Sequence, residues 1–595
     1  MKTRSATPSF LISCLLALAA CSDGGTSPVT DSAAGSLADA GHVDALGADA
    51  TADAIEDAAA SDVSSPDLAS QPLPADVAPA KRIVPGSAQL VGAGVSACTN
   101  QVPPTGKGDR WCAFKRPGGD GKRTELWVID VTKAAAGQPP PCDGTSPDCL
   151  RLTANLWTDE PYNGPRPSQA HRFDGDTLFF AADALSSGDV PYTGPVWAWR
   201  PGWPQARQLA AKAYICFGAE PVPAAFCADD ITYNGQAPVE LDLRVGVVSD
   251  PPGDVLPVLT HVRMQRADSE IAFRGGFWRG SEKFVYSTTL DATSNAAALY
   301  VARLQDGIFV EPQAVLPDVM AWDFSVDWTK VFYLTEFDHT AHAGRLTMAD
   351  FPTGANPQLF PPFKVSRFHV LGYESGRDQG IGFFVEPHGR FLGEYRVVAD
   401  RNALENAPAV FRFPDPLEGF DPSADHRFTG YAKDDPDQGF NGYIARNDGS
   451  GECILNAQIN VPALEFAFLD HSSLVFWGEA SPDGSSKKDG WLADPDGCRD
   501  RRLFAVHVGF YEAIRDNGLI FGDDIDQDDT VTLKYAPIAN GHDWPSAGPF
   551  RIHDHVDFPV AILRPKMNQI VFQVSKGNSD EIGLYVIGPL PLGDP

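Results

Sequence analysis

The chain has 595 residues, with 78 acidic against 47 basic side chains and a formal net charge of −31. Acidity spread over that length excludes the basic patches by which proteins hold nucleic acid and any electrostatic adhesion to anionic lipid. Length alone is ample for a large core and suggests several domains, while 55 glycines and 50 prolines leave little room for long helices.

In chain order, Lys2 and Arg4 form a positive start and residues 10–20 an apolar run. The run is too short to span a bilayer, which takes ~20 apolar residues as a helix, but it suits a secretory signal. Leu18-Ala19-Ala20-Cys21 then resembles a bacterial lipobox, which implies that Cys21 is lipidated and becomes the mature N-terminus. The competing reading is an ordinary signal peptide with an incidental cysteine. In such lipoproteins an Asp directly after the cysteine retains some chains in the inner membrane. Here that place is Ser22, with Asp23 one further on, so the resemblance leans to the outer membrane and leaves the leaflet open.

From Ser22 to Ala80 there are eleven acidic residues, no Lys or Arg and no Phe, Trp or Tyr. Such a segment cannot bury enough surface to offset its ordering entropy and is expected to be disordered. The alanines around "DATADAIEDAAA" favour transient helix, which interspersed Gly, Ser and Asp weaken, and Pro66, Pro72, Pro74 and Pro79 stiffen the far end. The expected organisation is a signal peptide over 1–20, a lipid-anchored tether over 21–84 and a folded domain over 85–595. A tether of that length has an r.m.s. span of about 40 Å.

Beyond Cys14 and Cys21, eight of the ten cysteines remain. They fall as sequence neighbours: Cys98 with Cys112, Cys142 with Cys149, Cys216 with Cys227, and Cys453 with Cys498. An exported chain meets an oxidising compartment, so four disulfides are expected. No CxxC pair or Cys/His spacing supports a structural metal instead.

From about residue 105 one pattern recurs: a short apolar strand, a polar turn, and a second strand holding an aromatic or Leu. "IVFQVSKGNSDEIGLYVIGP", "KFVYSTTLDATSNAAALYVARL" and "LVFWGEASPDGSSKKDGWLADPDG" are three of nine such hairpins, and residues 210–280 have room for another. Phe332, Phe384, Tyr431, Phe476, Phe521 and Phe572 stand 52, 47, 45, 45 and 51 residues apart. A period of about 40–50 residues means radial or stacked repetition. The expected fold is all-β, a β-propeller of about seven or eight four-stranded blades after a disordered tether.

The repeats resemble the blades of TolB-like propellers, whose pattern runs roughly SPDGKxIAFxS…IYVxD. Arg564-Pro565-Lys566 stands where Ser-Pro-Asp is usual, and "SVDWTKVFYLTEF" keeps Ser325 and Asp327. The resemblance covers most of 105–590, each copy degenerate. It implies an interaction platform.

Candidate chemistry is sparse. Asp524, Asp526 and Asp528 alternate in "DDIDQDDT", a spacing that converges oxygens on calcium, but Asp529 and Tyr535 replace the glycine and glutamate of an EF-hand. Hairpin turns favour such residues on their own account. Trp197 and Trp199 share one side of a strand with Trp203 beyond, and form either a sugar-binding platform or blade core. His553, His555 and Asp557 in "HDHVD" share one side of a strand and could begin a metal site, against a reading as surface residues. His339 and His342 fall in a turn and read as solvated. No G-x-S-x-G elbow or phosphate-cradling loop is present. Ser481-Pro482-Asp483-Gly484 only approaches a sialidase box.

The sequence therefore favours a non-catalytic, lipid-anchored binding platform of the cell envelope, held to the membrane by its N-terminal lipid only. Its expected partner is an unidentified envelope protein or glycan. The alternatives are a carbohydrate-active propeller enzyme, which needs paired carboxylates beside aromatics, and a calcium-stabilised structural or adhesin-like module. No cofactor is required, and calcium is the one candidate.

Overall fold

The computed structural model describes residues 72–590 apart from some connecting segments, the longer ones being 100–110, 157–170, 183–193, 264–273, 371–380, 399–408 and 539–548. Among the described residues the chain is almost entirely antiparallel β, with one short helix, Val131–Ala135. No helix there is long and apolar enough to cross a membrane.

The local pattern is an up-and-down meander of four strands. Strands Gln89–Leu90, Trp111–Pro117, Thr124–Asp130 and Cys149–Thr153 pair in chain order and form unit I. The same order recurs over residues 171–213 (II), 215–263 (III), 274–319 (IV), 322–359 (V), 365–413 (VI), 418–459 (VII), 467–508 (VIII) and 510–563 (IX). A last unit, X, is made from the end of strand Phe550–Leu563, then Gln569–Val574 and Gly583–Ile587, and finally Lys81–Pro85 from the other end of the folded chain. Hydrogen bonding joins these into eight sheets, because V meets VI through one pair, Gly344 with Val365, and IX shares its long last strand with X. The described strands thus make ten units. The nine hairpins visible in the sequence and the segment 215–263 account for them, more units than the seven or eight blades expected.

Several inner strands of these units are mostly apolar and covered along their whole length. Thr177–Ala181, Gly518–Asp523, Gln569–Val574 and Gly583–Ile587 are buried at every position. A strand with one wet face alternates, so an unbroken run means that both faces are covered. Phe332, Tyr431, Phe476, Phe521 and Phe572 all lie on the second strand of their unit and are fully buried. The spacing of aromatic anchors in the sequence therefore marks one structural position repeated. Fourth strands differ: Arg499–Val508 is exposed over its first half.

The cover is supplied by the neighbouring unit. One cluster joins Trp111 and Val128 of I with Phe179 and Trp199 of II and Cys227 of III. Others join Phe226 of III to Phe284 of IV, Val285 of IV to Val331 of V, Trp477 of VIII to Phe428 of VII, and Phe521 of IX to Phe476 of VIII. Unit X packs on unit I: Ile83, Val571, Leu584 and Val586 sit with Phe114, Trp127 and Ile129. Across that seam the Leu90 amide donates to Gln573 Oε1 at 2.7 Å.

The strand Lys81–Pro85 corrects the expected boundary at 85. Ile83 and Val84 are buried, and Val77 and Leu73 pack with Tyr535, Phe572 and Leu590, so the fold takes in residues assigned to the tether. The reason is a partner at the far end of the chain: Lys81 pairs with Val586 and Pro85 with Gly583. Gly583 is required there, because its φ is +154° and a Cβ would lie 2.3 Å from the Val84 carbonyl oxygen.

Replacing Ile83 by Asp puts a charge into the seam between X and I. It is expected to cost about 3 kcal/mol or more of stability, whereas a residue of a free tether would be neutral; urea unfolding measures the difference.

Candidate functional site

The chemistry-bearing side chains of the described residues gather inside units, not in one cleft. In unit I, Glu125 and Trp127 lie two apart on the third strand and so share a face. Glu125 accepts from the Trp127 indole N–H at 2.9 Å, from Arg116 Nε at 3.2 Å and from Arg151 at 3.0 Å. Arg116 stacks over the Trp127 ring, 3.9 Å from its centroid. Unit VIII repeats the constellation with the order reversed. Trp477 donates to Glu479 at 2.6 Å, Arg501 donates to the same carboxylate at 2.6 Å, and Arg501 stacks 4.4 Å from the centre of Trp491.

The two glutamates titrate in opposite directions. At Glu125 burial raises the pKa, but hydrogen bonds from Trp127, Arg116 and Arg151 overcome it and hold the carboxyl below the usual range. At Glu479 burial wins over Arg501 and Trp477, with Asp489 adding repulsion, and the pKa is raised. One guanidinium in place of two, at a more deeply buried carboxyl, accounts for the reversal.

Two further pairs cross adjacent strands. Asp229 binds Arg244 in unit III and also accepts the Lys212 amide from unit II at 2.8 Å. Asp523 binds Lys534 in unit IX, both side chains being under a tenth exposed. Burial pushes Asp523 up to about 6, against the pull of Lys534 and with repulsion from Asp524. All these carboxylates hold strands or units together, which is what a buried charge needs to be tolerated.

Asp524 is exposed and left-handed at φ +55°, while Asp526 and Asp528 lie outside the described residues. Among those described, no group of three His, Cys, Asp or Glu side chains is placed to hold a metal. Trp199 and Trp203 are core, 0% and 3% exposed, with the Trp199 indole donating to the Trp203 carbonyl at 3.0 Å. Trp197 is half-buried against the same cluster. Unit I covers Trp199, whose ring the Trp111 ring meets edge-on at 5.0 Å.

His553, His555 and Asp557 do not share a side. The pairing shifts beside His553 and His555 is left-handed at φ +54°. His553 instead packs on Phe572 and Tyr585, and buried Asp557 accepts the Ser575 hydroxyl at 2.8 Å. All four expected disulfides are formed: Cys98–Cys112, Cys142–Cys149, Cys216–Cys227 and Cys453–Cys498. Cys21, His339 and His342 lie outside the described residues.

The glutamates, arginines and Asp229 were not singled out from the sequence. A Trp and a Glu two apart on a strand, with an Arg on another strand of the unit, is the pattern that the two constellations share. Ser423 was also missed. It closes the turn before the second strand of unit VII, accepting the Phe428 amide at 3.1 Å, as Ser325 accepts the Lys330 amide at 3.0 Å in unit V. Ser423-Ala424-Asp425 has the same S-x-D spacing as Ser325-Val326-Asp327.

No protein-family model matches the chain, and no curated protein matches it. Among solved structures it is similar to a crystal structure of the eukaryotic initiation factor, at 10% identity over 74% of this chain and 96% of that one, with a TM-score of 0.38. It is also similar to a prolyl endopeptidase, at 11% identity over 53% and 50% of the two chains (TM-score 0.29). A third likeness is to a chain of a nidogen/laminin complex, at 13% identity over 43% of this chain and 90% of that one (TM-score 0.22). At such scores nothing about this chain's chemistry or partners follows from them.

Replacing Lys534 by Met leaves Asp523 buried without its cation, and about 3–5 kcal/mol of stability should be lost near neutral pH. Lys534 pulls the Asp523 pKa down against burial, so its removal raises that pKa further, and the penalty should shrink as the pH falls and the buried carboxyl takes up a proton. Glu125 behaves oppositely: its folded pKa is depressed, so its contribution is present above the ordinary Glu value and lost as pH falls through the folded one. The stability gap between wild type and Glu125→Gln should therefore close on acidification, in urea titrations across pH 3–7.

Proposed function

We propose that this chain is an exported, lipid-anchored β-propeller that serves as a non-catalytic binding platform in the cell envelope, its ten units acting as the blades of one ring. The observation that carries this reading is the packing of unit X on unit I, with the outer strand of X supplied by residues 81–85. A ring closed between its two chain ends is a rigid scaffold, and a rigid scaffold presents loops at fixed positions. The TolB-like resemblance of the repeats adds an interaction role by analogy, since fold does not set function.

The anchor is the lipid on Cys21, in the outer membrane. The acidic tether lets the platform search a shell around that point, which raises the effective concentration of nearby partners. The partner is an envelope protein or glycan; a net charge of −31 disfavours nucleic acid.

Two experiments test this. Residues 68–595, oxidised and immobilised, are exposed to solubilised envelope of the producing organism with and without calcium. Stoichiometric retention of one envelope protein or glycan is expected, and a folded domain that retains nothing overturns the platform. Separately, Cys21→Ser should abolish labelling by a fatty-acid analogue and move the protein from the membrane to the soluble fraction.

A further inference from the structure

The four disulfides differ in what they join. Cys98–Cys112 and Cys142–Cys149 lie within unit I and its leading segment, and Cys216–Cys227 bridges directly opposed residues of two strands in unit III. Cys453–Cys498 alone among them links two units. Cys453 is on the fourth strand of VII, paired opposite Ile444, and Cys498 is in the turn before the fourth strand of VIII.

They also differ in access. Cys98, Cys112, Cys216 and Cys227 are all buried, at 5% exposure or less, while Cys149 is fully buried and its partner Cys142 partly exposed. Cys453 and Cys498 are both partly exposed. Thiol–disulfide exchange needs a thiolate to reach a sulfur, so access orders the rates where the local charge is balanced. Charge is nearly balanced here: Arg446 pairs with Asp496, Arg499 with Asp494 and Arg501 with Glu479.

We infer that Cys453–Cys498 is a reducible clasp, the disulfide whose opening by an external dithiol releases units VII and VIII from one another. The reductant's thiolate attacks one cysteine sulfur, forming a mixed disulfide, and the other cysteine leaves as a thiolate and takes a proton. The reductant's second thiol then displaces the first cysteine as a thiol. The reductant departs as a disulfide, having supplied both electrons. Among the described residues the seam keeps the Arg446–Asp496 pair at 3.1 Å, the Arg501 donation to the Leu455 carbonyl at 3.1 Å, the Ser472 hydroxyl donating to Asp425, and the buried apolar contact of Phe428, Ile444 and Leu455 with Val475 and Trp477. Opening Cys142–Cys149, which closes a loop of sequence separation 7, would loosen a turn and no seam.

The test is a dithiothreitol titration of the full chain, alkylated at intervals and followed by peptide mass spectrometry. Cys453 and Cys498 should be alkylated about 10-fold sooner than Cys98, Cys112, Cys216 and Cys227. At that stage, amide exchange in strands Gly439–Arg446 and Val475–Ala480 should rise by about 10-fold, with Thr124–Asp130 unchanged. Alkylation of the buried pairs at the same time, or unchanged exchange at the seam once Cys453 and Cys498 are alkylated, overturns the inference. The double variant Cys453→Ser, Cys498→Ser should show the faster seam exchange without reductant, and normal exchange in that variant overturns it equally. Should that variant fail to fold, the wild-type labelling order and exchange decide alone.

Discussion

Several inner strands are buried on both faces, and the rest of the structure depends on that. A four-stranded meander alone would leave one face of Thr177–Ala181 or Gln569–Val574 in water, at about 25 cal/mol for each Å² of apolar surface exposed. Each unit is therefore stable only against a neighbour. The clusters that join I with II and III, III with IV, IV with V, VII with VIII and VIII with IX are the form this dependence takes. It also explains why the first and last units meet: the faces of I and X bury Trp127 and Val571 in one cluster.

A protein built this way has few places for unpaired charge. The buried carboxylates at Glu125, Asp229, Glu479 and Asp523 each accept from an Arg or Lys on another strand of the same unit. In two units a tryptophan supplies a further donor and a surface on which the guanidinium stacks. Arg is suited to that place because its planar, weakly hydrated group can face a ring and a carboxylate together. Whether such a carboxyl sits above or below its ordinary pKa then depends on how deeply it is buried and how many cations reach it. That is why Glu125 and Glu479, so alike in sequence surroundings, diverge.

Covalent links follow a similar division between units and seams. Cys216–Cys227 and Cys142–Cys149 join residues already close in the chain and stiffen a single unit. Cys453–Cys498 closes a sequence separation of 45 across a seam, where it constrains how two units move. By the chain-entropy account the longer loop constrains the unfolded chain more.

Much was legible in the sequence because it is local. Aromatic anchors at Phe332, Tyr431, Phe476, Phe521 and Phe572 mark second strands, since a strand between two covered faces needs an unbroken apolar run. Cysteine neighbours such as Cys216 and Cys227 paired because a hairpin brings them opposite each other, and Cys453 found Cys498 because successive units stack. Other features depended on residues far apart in the chain. The strand at 81–85 is a polar-flanked pentapeptide until Gly583–Ile587 offers it an edge. Trp199 reads as core or as part of a sugar platform until the Trp111 ring of unit I lies against it. His553 and Asp557 alternate on paper, but a shift in pairing turns them apart. The sequence by itself determined the repeating unit, because hydrogen-bonded hairpins and apolar runs are set within some fifty residues. Only the tertiary structure decided which faces are covered and which charges are paired, because both depend on what the neighbouring unit brings.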